Sequence, residues 1–207
     1  MRIAVLALVV SVAASQGSTA VAERGPRFAV EHVRWDDVRH SYRAGCPVGP
    51  AQLRTVRVSF WGFDGRPRVG RIVVARRVAL DVLAVFRILW RERFPIHRLR
   101  PVSAYGGSDD RSMGADNTSG FNCRYVGGTT RWSMHAWGEA IDVNPVENPY
   151  VRGSRVAPPH GRAFLDRSRY REGMAVEEGV LVRAFASVGW RWGASFGDFQ
   201  HFSTTGR

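Results

Sequence analysis

The strongest constraint on the fold is a stretch in the first half of the chain where the hydrophobic period changes. From Thr55 to Phe60, Val56, Val58 and Phe60 alternate with polar neighbours, which predicts a strand with one apolar face. Gly62-Phe63-Asp64-Gly65 reads as a turn, and Val69 to Val74 as the returning strand of a hairpin. From Arg77 to Arg93 the spacing becomes helical. Val78, Val82, Val85, Phe86 and Leu89 share one face, and Pro95 ends the run.

The rest of the chain gives weaker signals. Residues 23–50 read as irregular, with turns at Gly25-Pro26, Gly45-Cys46-Pro47 and Gly49-Pro50. Leu99 to Tyr105 predicts a strand. Asp109 to Arg124, rich in Gly, Ser, Asp and Asn, predicts a loop leading into a short strand around Phe121. Glu139 to Asn144 reads as a strand, with Ala140 and Asp142 on one face and Ile141 and Val143 on the other. Pro145 to Gly173 is a long irregular segment with four prolines, and such segments in compact domains are usually functional or mobile. Val176 to Val188 predicts a second helix stopped by Gly189, and Phe199 to Ser203 a last short strand. Strands mixed with two separated helices predict an α+β domain with a small, mostly antiparallel sheet and flanking helices.

The N-terminus carries an address. Arg2 is followed by an uncharged apolar run, Ile3 to Ala14, and the stretch ends in Ala20-Val21-Ala22. This reads as a secretory signal peptide over residues 1–22, cleaved after Ala22. The apolar run is about 12 residues, short of the ~20 that a spanning helix needs, so an uncleaved membrane anchor is the poorer reading. Residues 23–207 then form one domain, long enough for a real core. The expected location is outside the cell.

The formal charge is +12, or +11 without Arg2, which calls for an acidic partner or an anionic surface nearby. Outside a cell, the phosphates and carboxylates of bacterial wall polymers are nearer candidates than nucleic acid. The arginines are scattered, with no aromatic-basic repeat of the kind single-strand binders use. The two cysteines, Cys46 and Cys123, lack a CxxC partner. In an oxidising compartment they pair most simply as one disulfide, closing a loop of about 77 residues worth roughly 4 kcal/mol in the chain-entropy model.

The chemistry sits in two clusters. One is Ser133-Met134-His135-Ala136-Trp137-Gly138-Glu139-Ala140-Ile141-Asp142, the other Gly197-Asp198-Phe199-Gln200-His201-Phe202. Zinc accepts His nitrogen and Asp oxygen, and a catalytic site keeps three protein ligands and one open position. His135, Asp142 and His201 supply such a set and leave Asp198 free beside it. Residues three apart on a strand face opposite sides, so Asp198 belongs to a turn before the strand of His201, which Gly197 makes easy. Gly138 offers the bend that brings His135 to the side of Asp142. Taken singly, a histidine beside aromatics is more often a hydrogen-bonded core residue. His32, His40, His97 and His160 have no comparable surroundings and read as structural or surface residues. Trp190 and Trp192 flank the last turn and could line a cleft, but aromatics there are more often core.

Together these segments resemble a known family. Ser133-x-His135-x-x-Gly138-x-Ala140-x-Asp142 followed far downstream by Asp198-x-x-His201 is similar to the signature of the D-alanyl-D-alanine carboxypeptidase-like (VanY-type) zinc peptidases. The likeness takes in Asp116 to Arg124 and Asn144-Pro145, and spans roughly residues 40–203. It implies the fold shared by hedgehog domains and DD-peptidases, and one zinc ion held by His135, Asp142 and His201. Asp198 stands where the family's catalytic acid stands, often glutamate in relatives. Arg124 is the best match for a substrate-contacting arginine, although the Asn-Cys-Arg ending differs from many relatives. Ser133 contacts substrate or orients its loop.

The implied activity is hydrolysis of peptidoglycan stem peptides, as a D-Ala-D-Ala carboxypeptidase or an L-Ala-D-Glu-type endopeptidase. The expected partners are the stem peptide and anionic cell-wall polymers, with no nucleic acid, no stable membrane span and a monomeric chain. Two other readings compete. A zinc- or wall-binding module of the same fold, catalytically inactive, is one. A basic nucleic-acid-binding protein, which needs no zinc and no export, is the other.

Overall fold

The computed structural model describes residues 25–206. The leader read over residues 1–22 lies outside the described residues. In chain order the elements begin with β1 (Phe28–His32), α1 (Trp35–Val38), β2 (Leu53–Trp61), β3 (Pro67–Ala75) and α2 (Ala79–Arg91). They continue with β4 (Arg98–Leu99), α3 (Asp109–Gly114), β5 (Asn117–Thr118), β6 (Ala140–Asp142), β7 (Tyr150–Arg152) and β8 (Arg155–Ala157). The last are α4 (Val180–Ala186), β9 (Arg191–Trp192) and β10 (His201–Ser203). The molecule is α+β, with small sheets that are antiparallel except for the β4–β5 pair.

The first sheet runs β1-β2-β3. Its even-numbered residues Val56, Val58, Phe60, Ile72 and Val74 bury against Val82, Val85, Phe86 and Leu89 of α2. The two periods of the sequence, two in the hairpin and 3.6 in the helix, meet in that core. The opposite face carries Leu53 and Val73 into a smaller cluster with Val38, Phe121 and Cys123.

The second sheet runs β6-β10-β9. Ile141 and Phe202 enter the main core, where Phe202 stacks on Phe185 of α4 with ring centroids 4.3 Å apart. Fully burying such a ring stabilises by about 2–3 kcal/mol. The other face of this sheet is free to carry chemistry. Two backbone hydrogen bonds tie β3 to the segments beside β6: Phe121 N–H to Val73 C=O at 2.7 Å, and Ala75 N–H to Gly138 C=O at 2.8 Å. Cys46 and Cys123 form a disulfide that ties the N-terminal segment to the strand edge leading into Arg124.

Several expectations need correction. Residues 23–50 are not wholly irregular, because β1 pairs along β2 from Phe28↔Val58 to His32↔Arg54. Leu99–Tyr105 is not a strand: Pro101 offers no N–H to a ladder, and Val102–Tyr105 turns into a 3-10 helix. Asp109–Gly114 is a short helix whose first turn is capped by the Ser108 hydroxyl oxygen, which accepts the Arg111 N–H. Phe121 bonds to the edge of β3 without forming a strand of its own. The second helix begins only at Val180. Glu178 takes a left-handed φ of 57°, and the Ala175 N–H is held by Asn148 Oδ1, so the chain before it cannot coil. Within Pro145–Gly173 the β7–β8 hairpin and a 3-10 helix at Pro159–Phe164 give order to the segment.

Candidate metal centre and its surroundings

The register of the second sheet builds the centre. His201 on β10 lies directly across from Asp142 on β6, and Phe202 across from Ile141. Side chains alternate along a strand, so sending Ile141 and Phe202 to the core sends Asp142 and His201 together to the other face. His201 Nδ1 lies 3.1 Å from Asp142 Oδ1.

His135 arrives from a different element. It sits in a 3-10 helix over Met134–Trp137, whose N-cap Ser133 accepts the His135 N–H on its hydroxyl oxygen at 3.3 Å. Gly138 follows with φ 69°, a conformation that favours glycine, and a Cβ there would lie 2.6 Å from Ala75 N. This bend brings the chain from His135 into β6. Ser133 therefore orients the loop through its backbone bond. The His135 Nε2 atom stands 3.2 Å from His201 Nδ1 and 3.2 Å from Asp142 Oδ2.

The three side chains are buried, at 2%, 4% and 6% exposure for His135, Asp142 and His201. One donor atom from each lies within 4.8 Å of the others. Two imidazole nitrogens and a carboxylate converging at that spacing suit a divalent transition metal. His135 Nδ1 is 2.7 Å from the Gly120 carbonyl, an atom that only accepts, so the proton belongs on Nδ1 and the Nε2 lone pair points into the cluster. That is the tautomer a metal ligand needs. Burial pushes the Asp142 carboxyl up, but His135 and His201 outweigh it and hold the group well below the usual carboxylate range. Asp142 therefore offers an anion at every relevant pH. The residues present fit a metal ion.

Asp198 lies in the turn before β10. Gly197 precedes it with φ 77°, and a Cβ there would meet Val151 O at 2.3 Å. The Asp198 side chain is half-buried, and its Oδ1 is shielded from solvent with no hydrogen-bond partner among the described residues. Burial first, and the Asp142 charge second, push its pKa up to about 7, against the pull of His201, His135 and Arg124. The Ser133 N–H donates to the Arg124 carbonyl at 3.1 Å, which ties the Arg124 backbone to the loop that carries His135. Arg124 Nη2 is held by Asp109 Oδ2 at 3.0 Å, while its Nε is buried with no hydrogen-bond partner among the described residues. Phe196, 43% exposed, sets its ring edge-on to His201 at 6.1 Å and walls one side of the centre.

Sequence reading missed three contributors. Gly120 supplies a carbonyl, which no side-chain pattern advertises. Glu139 is buried and accepts both Arg77 Nε and Nη2, with the Thr204 hydroxyl donating to its other oxygen at 3.0 Å, which pins the start of β6. An acid of that kind beside a glycine bend was the available signal. Asp109, which holds Arg124, was hidden in a segment read as loop. Trp190 is buried in the core, while Trp192 is half-buried and packs on Phe202 from its edge. His97, read as structural or surface, is exposed with its Nδ1 2.8 Å from Asp116 Oδ2.

Residues 127–204 match the model of a family described as D-alanyl-D-alanine carboxypeptidase. The matched stretch holds His135, Asp142, Asp198 and His201, and Arg124 lies just before it. No curated protein and no solved structure matches the chain.

Proposed function

We propose that this chain, a peptidase by its resemblance to the D-alanyl-D-alanine carboxypeptidase family over residues 127–204, is a zinc-dependent hydrolase of peptidoglycan stem peptides. The observation that carries the proposal is the convergence of His135 Nε2, His201 Nδ1 and the Asp142 carboxylate beside Asp198, whose Oδ1 has no hydrogen-bond partner among the described residues. The fold is that of hedgehog domains and DD-peptidases. The chain is exported after cleavage at Ala22 and acts as a monomer at the wall. The disulfide and the lack of any helix among the described residues long and apolar enough to cross a membrane are consistent with that location.

His135, Asp142 and His201 would hold the ion. A bound zinc ion supplies Lewis acidity toward a scissile carbonyl and makes water a nucleophile near neutral pH. Asp198, with a pKa near 7, is matched to accept a proton from the attacking water and return it to the leaving amine. Arg124, kept in place by Asp109, faces the charge that develops on the carbonyl oxygen or the substrate carboxylate. Gly120 fixes the His135 ring, and Ser133 fixes the backbone that carries it.

The test is mass spectrometry of purified muropeptides incubated with the mature chain, with and without a chelator, and after zinc is restored. Loss of one alanine from a pentapeptide identifies a carboxypeptidase, and a cut between stem residues an endopeptidase. Turnover must stop with the chelator and return with zinc. Intact muropeptides under all conditions, from folded protein with bound zinc, would sink the proposal.

A further inference from the structure

The second face of the first sheet carries an arrangement that the hydrolytic centre does not use. Arg57 on β2 and Arg71 on β3 are direct cross-strand partners. Odd-numbered residues of β2 point away from α2, so both guanidinium groups rise from the same face. Like charges directly opposite are destabilising. Each is compensated once: Arg57 by Glu31 at 2.8 Å, and Arg71 by the buried Asp37 at 3.2 Å. Two further arginines, Arg27 and Arg100, line the same groove. Both are exposed, and among the described residues neither has a carboxylate partner. Four guanidinium groups thus meet two carboxylates.

The two uncompensated arginines spring from locked backbone. The Arg27 N–H donates to Ser59 Oγ at 2.8 Å, and the Arg27 carbonyl accepts the Ser59 N–H at 2.7 Å. Arg100 is gripped in the same way by the buried Asn117 side chain, at 2.9 Å to its N–H and 2.9 Å to its carbonyl. The floor between them is tight, since a Cβ on Gly70 would lie 2.5 Å from Leu99 Cβ. The geometry points to a binding groove for a linear phosphodiester polymer, with Arg27 and Arg100 as its main contacts and Arg57 and Arg71 as support.

The lining selects that ligand class. Guanidinium forks match phosphate oxygens. Beyond the arginines the groove offers Val69, Gly70, Leu99, Pro101 and Ala104. Among the described residues its lining has no aromatic ring on which a nucleobase would stack. Among the described residues it also has no amide or hydroxyl side chain to pair with the backbone amides that an acidic peptide would bring with its carboxylates. A base-free chain of phosphodiesters asks only for donors and gets them. The groove lies on the Pro67–Arg71 half of β3, while Val73 and Ala75 in the other half bond to Phe121 and Gly138 beside the metal centre. A polymer held in the groove would therefore fix the position of that centre relative to an anionic surface. The binding claim does not depend on the peptidase reading.

The experiment titrates the mature chain with fluorescently labelled glycerol-phosphate oligomer over a salt series. Wild type binds, with log affinity falling linearly in log salt. R27A/R100A weakens binding at least about 10-fold and lowers the salt slope by about 1.5, as loss of two phosphate contacts requires. R87A/R91A, on α2 behind the sheet, removes the same charge and binds as wild type. R27K/R100K keeps charge without the fork, falls between, and covers the case in which the alanine variant misfolds. The proposal is overturned by no binding, by equal binding of R27A/R100A and wild type, or by equal loss in R87A/R91A. Tighter binding of single-stranded DNA or poly-glutamate overturns it as well.

Discussion

His135 donates its Nδ1 proton to the carbonyl of Gly120, 2.7 Å away, and this one bond decides which ring nitrogen faces Asp142 and His201. Gly120 can present that carbonyl because its backbone lies against β3: a Cβ would meet Val73 O at 2.4 Å. The expected result for Gly120→Ala is a shift of this segment away from β3. Zinc affinity, measured by competition with a chromophoric chelator, falls about 10- to 100-fold, the usual cost of losing such an outer partner. Unchanged affinity would show that the carbonyl does not set the ring.

Asp198 and His201 sit in one short segment but have separable roles. Asp198→Ala abolishes turnover and retains one equivalent of zinc, while His201→Ala loses both. Metal content by atomic absorption, beside muropeptide turnover, checks the pair. Full activity in Asp198→Ala removes it as the proton carrier.

Glu147 predicts a pH dependence of stability. Burial, then the neighbouring Asp116 carboxylate, raise its pKa from 4.5 to about 8, while Arg171 pulls it down. Between these values the folded protein holds a proton that the unfolded chain releases. Its contribution is therefore fully present below about pH 4.5 and is lost as pH rises through 8, with a slope of at most about 1.4 kcal/mol per pH unit. Glu147→Gln keeps the neutral form and flattens this slope. Urea denaturation at a series of pH values reads it, and parallel curves for wild type and variant would contradict the assignment.

Glu139 is buried and Arg77 is largely exposed, so the ion pair between them is asymmetric. Arg77→Ala leaves the Glu139 carboxylate, among the described residues, with only the Thr204 hydroxyl and destabilises by about 2 kcal/mol, the scale for a hydrogen bond to a charged group. Glu139→Gln added to Arg77→Ala recovers part of that loss. Thermal melts of the singles and the double close the cycle, and strict additivity would mean the pair is not coupled.

The sequence by itself determined the elements with a strong period. The hairpin of β2 and β3 and the helix α2 were legible because alternation and helical spacing report burial directly. The three residues that the structure brings together as a possible metal site, the Asp198 turn and the Gly138 bend were legible too, since glycine and strand parity leave few alternatives. Only the tertiary structure decided what depends on contacts between distant backbones. The pairing of β1 on β2, the short helix at Asp109–Gly114 and the late start of α4 at Val180 rest on partners far along the chain. So does the tautomer of His135, set by a carbonyl every residue possesses. The cross-strand register that puts Arg57 opposite Arg71 was equally out of reach. A sequence lists side chains, and a backbone oxygen or a strand register acquires meaning only when folding brings its neighbour to it.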